Sequence, residues 1–194
     1  VVTASQKAIG CPPGLSIVMT SGRAIQAAQS RKTPPGAYYA SIANWLPIMQ
    51  NYENNKPSYF ATPPTQLVHA LHTTLTQITA DVPGRFAIHT EVSDKVKAAV
   101  AELGLKQVAS YPECQAHGMT AMYLPEGLVP ADVLPGLLKR GVIFAAGLHK
   151  EIATKYIRFG HMGVTVTDPK RGDVDKALAA LKEALAEAKQ AKGL

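Results

Sequence analysis

Cysteine is scarce in this sequence, where only Cys11 and Cys114 occur among 194 residues. The two lie far apart and form no C-x-x-C pair, so we expect neither a disulfide framework nor a zinc site. His69 and His72 are spaced to share a metal on one helix face, but no third ligand is indicated. We therefore predict no metal, and we interpret both cysteines as ordinary thiols in a reducing compartment.

Long apolar runs are also absent. No stretch approaches the roughly 18 consecutive apolar residues that a membrane span requires. No basic segment followed by an apolar one opens the chain, as it would in a signal peptide. We expect a soluble, globular protein that is not secreted and has no membrane partner. The terminal Lys192-Gly193-Leu194 is only a poor approximation to a peroxisomal S-K-L signal, so it does not assign a compartment. Cytoplasmic, mitochondrial and peroxisomal locations all fit.

Acidic side chains are fewer than basic ones, with 14 Asp and Glu against 20 Lys and Arg, which gives a formal net charge of +6. A basic balance of this kind occurs in proteins that bind nucleic acid. Near the C-terminus, however, lysines alternate with acidic residues, which is typical of a solvated helix face rather than a phosphate-binding stripe. We expect no nucleic-acid partner.

The hydrophobic fraction of 46% supports a sizeable core, and the periodicity of the apolar residues divides the chain into two parts. The turn-forming cluster Asp81-Val82-Pro83-Gly84 predicts a domain boundary at about residue 84. In residues 1–84 we predict a strand in the first residues, a strand at 16–20, and helices at 23–29, from about Tyr38, and from Pro63. Tyr38, Ile42, Trp45 and Leu46 recur at helical spacing, which indicates one buried face of the second of these helices.

In residues 85–194 the pattern of short strands and helices predicts a small α+β domain, with a mainly antiparallel sheet and helices on one of its faces. We predict helices from about Arg85 to Leu103, over 131–139 starting at Pro130, and over 173–189. Short strands are predicted at 105–110, 119–124, 142–146 and 156–160.

Lys7 stands at the junction between the first apolar run and the stiff loop Pro12-Pro13-Gly14. A lysine just past the end of a buried strand is held by a rigid element while its amine projects into a cleft, which suits nucleophilic use. The alternative is that Lys7 is one solvated lysine among many, and residue type alone favours that alternative.

Tyr59 and Thr62 precede the helix that we expect to start at Pro63 and Pro64. Thr62 is a candidate N-cap, and the phenol of Tyr59 would then lie near a helix N-terminus, where anions are favoured. A purely structural cap is the simpler explanation of Thr62.

Arg158 lies between Ile157 and Phe159, so it points to the opposite face of the predicted strand from both of them. Its planar guanidinium suits a carboxylate in bidentate geometry. Pairing with a structural acid would explain the arginine equally well.

Three segments of the chain resemble a known family: Ser5-Gln6-Lys7 ahead of Pro-Pro-Gly, Tyr-x-x-Thr-Pro at 59–63, and Lys-Tyr-Ile-Arg-Phe-Gly-His-Met-Gly at 155–163. They are similar to segments of the class V aminotransferases, pyridoxal-phosphate enzymes of the fold-type I group, and the third resembles fungal alanine:glyoxylate aminotransferases. The resemblance covers essentially the whole chain. It implies the C-terminal half of an α/β enzyme, with residues 1–84 from the large cofactor domain and 85–194 as the small domain.

The resemblance also implies roles for individual residues. Lys7 would be the catalytic lysine that forms the Schiff base with pyridoxal 5′-phosphate, Gln6 would contribute to the phosphate site, and Arg158 would hold the substrate carboxylate. Tyr59 and Thr62 would reach the cofactor phosphate of the neighbouring subunit in a homodimer. The implied reaction moves an amino group from alanine to glyoxylate and gives pyruvate and glycine, a route of glycine biosynthesis.

Two alternatives stay open. A related enzyme of the same class would use serine with glyoxylate or pyruvate, which differs only in the shape of the pocket. A non-catalytic fragment or binding module would be unable to hold the cofactor alone, because the family's glycine-rich phosphate loop, stacking aromatic ring and ring-nitrogen partner lie upstream of this segment.

Overall fold

The computed structural model describes residues 1–194 and divides them into two compact units. One unit consists of Val1–Gln6 and Cys11–Thr74, and the other of Lys7–Gly10 and Leu75–Leu194. The turn that carries Lys7 therefore belongs to the second unit, although its chain neighbours belong to the first. The domain boundary near residue 84 stays a prediction. Each helix is too short or too polar to span a bilayer.

The first unit begins with a two-stranded antiparallel ribbon, in which β1 (Val2–Ala4) pairs with β2 (Ser16–Val18). Ser5 closes the segment after β1, because its buried hydroxyl donates to Pro12 O (2.7 Å) and its backbone N–H donates to Leu15 O (3.2 Å). The helices that follow are α1 (Gly22–Gln29), α2 (Ile42–Glu53) and α3 (Thr65–Ala80), the last of which continues past Thr74 into the second unit.

Three expectations for the first unit are wrong in detail. β1 is not buried, since Val1 and Val2 are both exposed. The second helix begins at Ile42 rather than near Tyr38, because the Asn44 amide donates to Tyr38 O (2.8 Å) and holds the preceding turn outside the helix. Tyr38 is exposed and no residue of α2 is fully buried, although Trp45 packs edge-on against Phe60 at a ring-centroid distance of 4.7 Å.

Thr62 does not cap α3, which begins three residues later at Thr65. An N-cap side chain accepts from the backbone N–H two or three residues further on. Pro64 has no N–H, and the N–H of Thr65 donates to Pro63 O (2.9 Å) instead.

The second unit is built on a three-stranded antiparallel sheet with the strand order β3-β5-β4. Its strands are β3 (Met119–Tyr123), β4 (Ala145–Ala146) and β5 (Tyr156–Gly160). Its helices are α4 (Val82–Glu102), α5 (Pro130–Lys139), α6 (Val164–Thr167) and α7 (Asp173–Lys192), with short 3-10 turns at Pro112–Cys114 and Pro169–Arg171.

The core of this unit joins the sheet to three helices. Burying an aliphatic side chain of this size stabilises the fold by about 1.5–3 kcal/mol each. The fully buried side chains are Val96 and Val100 of α4, Met122 of β3, Val133 and Leu137 of α5, Ile157 of β5 and Leu181 of α7.

Three expectations for the second unit need correction. The predicted strand at 105–110 is reduced to an isolated bridge between Gln107 and Met122. The predicted strand at 142–146 is regular only at 145–146, because the N–H of Val142 donates to Leu137 O (3.1 Å) at the end of α5. The helix expected from about Arg85 begins at Val82, since Asp81 accepts the N–H of Gly84 (2.9 Å) as an N-cap.

Candidate active site

The side chain of Lys7 is exposed, and none of the ion pairs in the protein includes it. Its backbone, by contrast, is held at both ends of a tight turn. Gly10 N–H donates to Lys7 O (2.9 Å), and the guanidinium of Arg85 donates through Nη2 to Ala8 O (2.8 Å). The structure thus presents an unpaired primary amine on a turn that α4 fixes.

Helix α4 carries a polar stripe of Arg85, His89 and Ser93 at positions i, i+4 and i+8. His89 is 9% exposed and Ser93 is 0% exposed. His89 Nε2 accepts from Gly163 N–H (3.2 Å), and Ser93 Oγ donates to Ala116 O (3.4 Å). One face of α4 therefore holds the Lys7 turn, the turn after β5, and the segment that leads into β3.

Arg158 lies on the central strand of the sheet, opposite Ala121 of β3 and Ala145 of β4. Its Nε donates to Ala146 O (2.8 Å), so the half-buried side chain lies over the edge strand β4. No carboxylate of the chain pairs with it, so the structure provides no acid partner for a purely structural role. Its two terminal nitrogens, Nη1 and Nη2, make no hydrogen bond within the chain.

The loop after β4 is held against β5 by Tyr156. The phenol oxygen accepts the backbone N–H groups of His149 (3.1 Å) and Leu148 (2.8 Å), and these two bonds lower the pKa of Tyr156, to which the charge of Arg158 adds. A side chain at Gly147 would meet the ring of Tyr156 and the carbonyl of Ala153. The loop closes this tightly only because residue 147 is glycine.

Gln6, Tyr59 and Thr62 lie in the first unit, whereas Lys7 and Arg158 lie in the second. All three side chains are exposed, Tyr59 to 73%, and none forms a hydrogen bond within the chain. The backbone beside Tyr59 is anchored because Phe60 packs edge-on against Trp45 and Tyr38. The hydroxyls of Tyr59 and Thr62 are therefore presented outward from a fixed segment.

Sequence reasoning missed a buried polar pair behind the sheet. His161 is 0% exposed, its Nε2 lies 2.8 Å from Thr120 Oγ1, and its Nδ1 has no hydrogen-bond partner. Burial lowers the pKa of His161 to about 4, so the ring is neutral near pH 7. The α4 stripe was missed too, although three polar residues spaced by four on one helix face were the available signal.

Comparison with known proteins assigns this chain to a family. The chain is 45% identical over 169 residues to alanine–glyoxylate aminotransferase 1 of Saccharomyces cerevisiae. The aligned region covers 84% of this chain and 43% of that protein. It is 32% identical over 169 residues to L-aspartate–glyoxylate aminotransferase of Paracoccus denitrificans, covering 86% of this chain and 40% of that protein. The chain belongs to the class V aminotransferases. No family model matches it.

Solved aminotransferase structures agree with this assignment. An alanine–glyoxylate aminotransferase from Nostoc sp. superposes with a TM-score of 0.83 at 26% identity, over 95% of this chain and 47% of that one. Pyridoxamine–pyruvate aminotransferase from Mesorhizobium loti gives 0.84 at 27% identity, over 96% and 46%. This chain spans less than half the length of these class V relatives and matches their C-terminal portion. The predicted fold class, the C-terminal part of a fold-type I α/β enzyme, is therefore confirmed.

Proposed function

We propose that this chain is the C-terminal part of an aminotransferase that moves an amino group from alanine to glyoxylate and gives pyruvate and glycine. The observation that supports it most is that one compact unit carries both an unpaired amine, Lys7, and a guanidinium without an acid partner, Arg158. In this proposal residues 1–84 belong to the large domain and 85–194 form the small one. The cytosol, mitochondrion and peroxisome are all compatible with it.

The chemistry of the residues fits pyridoxal 5′-phosphate. A primary amine that no carboxylate engages is the group that condenses with an aldehyde, and Lys7 is such an amine. The exposed side chains of Gln6, Tyr59 and Thr62 each supply a hydrogen-bond donor for the phosphate. When bound, the cofactor supplies an electron sink for the charge that develops at the substrate Cα.

The chain's own residues would divide the remaining work. Lys7 Nζ would take the proton from Cα of alanine in the first half-reaction and would give a proton to the carbon that becomes Cα of glycine in the second, as a general base and then a general acid. Arg158 would orient the substrate through its carboxylate. Because Nε is already used by Ala146 O, the carboxylate would be received by Nη1 and Nη2, which form a bidentate fork. Alanine and glyoxylate both carry that carboxylate, so one arginine serves both half-reactions.

The direct test is a single half-reaction of the complete, cofactor-loaded protein with alanine and no oxo-acid acceptor. We expect one equivalent of pyruvate per active site, followed by glycine when glyoxylate is added. Failure to transfer an amino group from either alanine or serine would favour a non-catalytic role.

Serine is the second candidate donor, because the chain is also 31% identical over 166 residues to serine–glyoxylate aminotransferase of Hyphomicrobium methylovorum. A pocket shaped for a methyl group discriminates against an added hydroxyl by only about 10²-fold. We therefore expect kcat/KM for alanine to exceed that for serine by about 10- to 100-fold. The reverse order would reassign the donor without affecting Lys7 or Arg158.

The proposal includes a homodimer whose phosphate sites are completed by the partner chain, and the exposed, unbonded hydroxyls of Tyr59 and Thr62 support it. A complementation experiment tests it. Subunits carrying Lys7→Ala are mixed, under conditions that exchange subunits, with subunits carrying Tyr59→Phe and Thr62→Ala. Each mixed dimer would then contain one intact and one doubly damaged site, so activity should rise above that of either parent. No rise would indicate that these residues act within their own chain.

A further inference from the structure

Two turns that are distant in sequence meet at the N-terminal half of α4. Arg85 Nη2 donates to Ala8 O (2.8 Å) in the Lys7 turn, and Gly163 N–H donates to His89 Nε2 (3.2 Å) in the turn after β5. The two turns also lie side by side, because a Cβ built at Gly163 would be 3.8 Å from Lys7 O and 3.9 Å from Gly10 Cα. The two hydrogen bonds therefore link both turns through the helix, and we call this arrangement the circuit.

The partners of His89 fix its tautomer. The backbone N–H of Gly163 can only donate, so Nε2 must accept, and the proton of the neutral ring is on Nδ1. Nδ1–H then donates to Arg85 O (2.7 Å), one helical turn earlier. His89 is 9% exposed, so water cannot readily replace its bond to Gly163, and losing that bond would leave the buried N–H of Gly163 unsatisfied.

The turn at Gly163 is rigidly attached to the strand that carries Arg158. β5 ends at Gly160, and the next residue, His161, is fully buried, with its N–H donating to Gly118 O (3.0 Å) and its ring next to Thr120. Gly163 follows with a φ of +69°, a left-handed conformation that favours glycine. The circuit consequently joins the backbone of Lys7 to the strand of Arg158 through α4.

We propose that Arg85 and His89 are positioning residues, which set the separation between the Lys7 amine and the Arg158 guanidinium. The inference rests on the proposed function. A lysine that moves a proton at Cα must lie in line with a substrate whose carboxylate is held elsewhere, and a misplacement of about 1 Å costs on the order of 10²-fold in rate. Neither Arg85 nor His89 touches substrate in this arrangement, since both act through backbone groups of the two turns.

The test uses the complete holoenzyme and paired variants of each residue. Arg85→Ala and His89→Ala break the circuit, whereas Arg85→Lys keeps a donor and His89→Gln keeps both an acceptor for Gly163 and a donor for Arg85 O. We expect the alanine variants to lower kcat by about 10- to 100-fold at saturating alanine and full cofactor content. The conservative variants should recover part of that loss. Arg171→Ala and His69→Ala, at exposed sites, serve as matched controls and should leave kcat unchanged.

Two further readouts separate positioning from a general loss of stability. The visible circular dichroism of the bound cofactor should change in Arg85→Ala and His89→Ala, because the turn that holds it shifts. The double variant should lower kcat about as much as the more harmful single one, because both residues belong to one circuit. The inference would be overturned if the fold-losses in kcat of the two single variants multiplied in the double variant. It would also be overturned if the alanine variants had a lower melting temperature but unchanged kcat and circular dichroism.

Variants that do not fold are replaced by Arg85→Gln and His89→Asn, which keep more of each side chain, and the same outcomes apply. An active wild type with normal kcat in both alanine variants defeats this inference alone. A fully loaded wild type that transfers no amino group defeats the proposed function and this inference together.

Discussion

Replacing Lys7 with Ala or Arg in the complete enzyme should lower kcat by about 10⁴-fold or more, which is the largest effect that we expect. General acid–base catalysis by one side chain contributes about 10²–10⁴-fold, and covalent attachment of the cofactor is lost with the same amine. Arginine keeps the positive charge and much of the length but cannot lose its proton near neutral pH, so it should not rescue. Single-turnover formation of pyruvate from alanine measures the loss.

Lys32 and Lys56 provide matched controls, because both are exposed lysines in loops of the same chain. Their arginine variants should keep wild-type rates. Borohydride reduction of the wild-type holoenzyme should place the pyridoxyl label on the peptide that contains Lys7. A label on Lys32 or Lys56 would refute the assignment of Lys7, whatever the rates of the variants.

Replacing Arg158 with Lys should lower kcat/KM for alanine and for glyoxylate by a similar factor, on the order of 10² if about 3 kcal/mol of charge-assisted pairing is lost. Lysine keeps a charge but loses the planar fork, and it has no counterpart to the Nε–H that anchors Arg158 on Ala146 O. The substrate would then be held without a fixed plane. Steady-state kinetics with each substrate varied in turn checks the prediction.

The control for Arg158→Lys is Arg171→Lys, at an exposed arginine paired with Asp173. It should behave as the wild type. Cofactor content should also be normal in Arg158→Lys, because the arginine is not assigned to the phosphate or the ring. Normal kinetics would make Arg158 a structural residue, and a variant unable to hold pyridoxal phosphate would place it in the cofactor site.

The elements that sequence predicted well are those with a local physical signal. A short run of strand-forming residues placed β5 at Tyr156–Gly160, and Pro130 at a first helical position placed the start of α5. The strands predicted at 105–110 and 142–146 are shorter than expected, because hydrogen bonds to the ends of neighbouring helices hold part of each segment out of the sheet. The N–H groups of Leu105 and Val142 donate to Val100 O and Leu137 O, and a helix-end bond of this kind has no periodic signature.

The residues of the candidate site also differ in whether a local signal in the sequence predicts them. Lys7 and Arg158 stand out in the sequence because each is a charged residue beside an apolar run. Arg85 and His89 do not, since the residues that Arg85 Nη2 and His89 Nε2 bind lie 77 and 74 positions away along the chain. A search for apolar stripes on α4 finds Val96 and passes over the polar residues beside it, whose burial only the packed structure reveals.

Gly147 is a sequence marker for the loop whose carbonyl at Ala146 binds Arg158. A Cβ at this position would lie 2.6 Å from Ala153 O and would overlap the ring of Tyr156, so any side chain there must displace the loop. The neighbouring residue, Ala146, supplies the carbonyl that fixes Arg158. Among homologous sequences, we therefore expect a glycine aligned with position 147 and a tyrosine aligned with 156 to accompany an arginine held in this orientation. A relative that keeps the arginine but lacks the glycine must displace this loop, and it is the place to look for altered substrate preference.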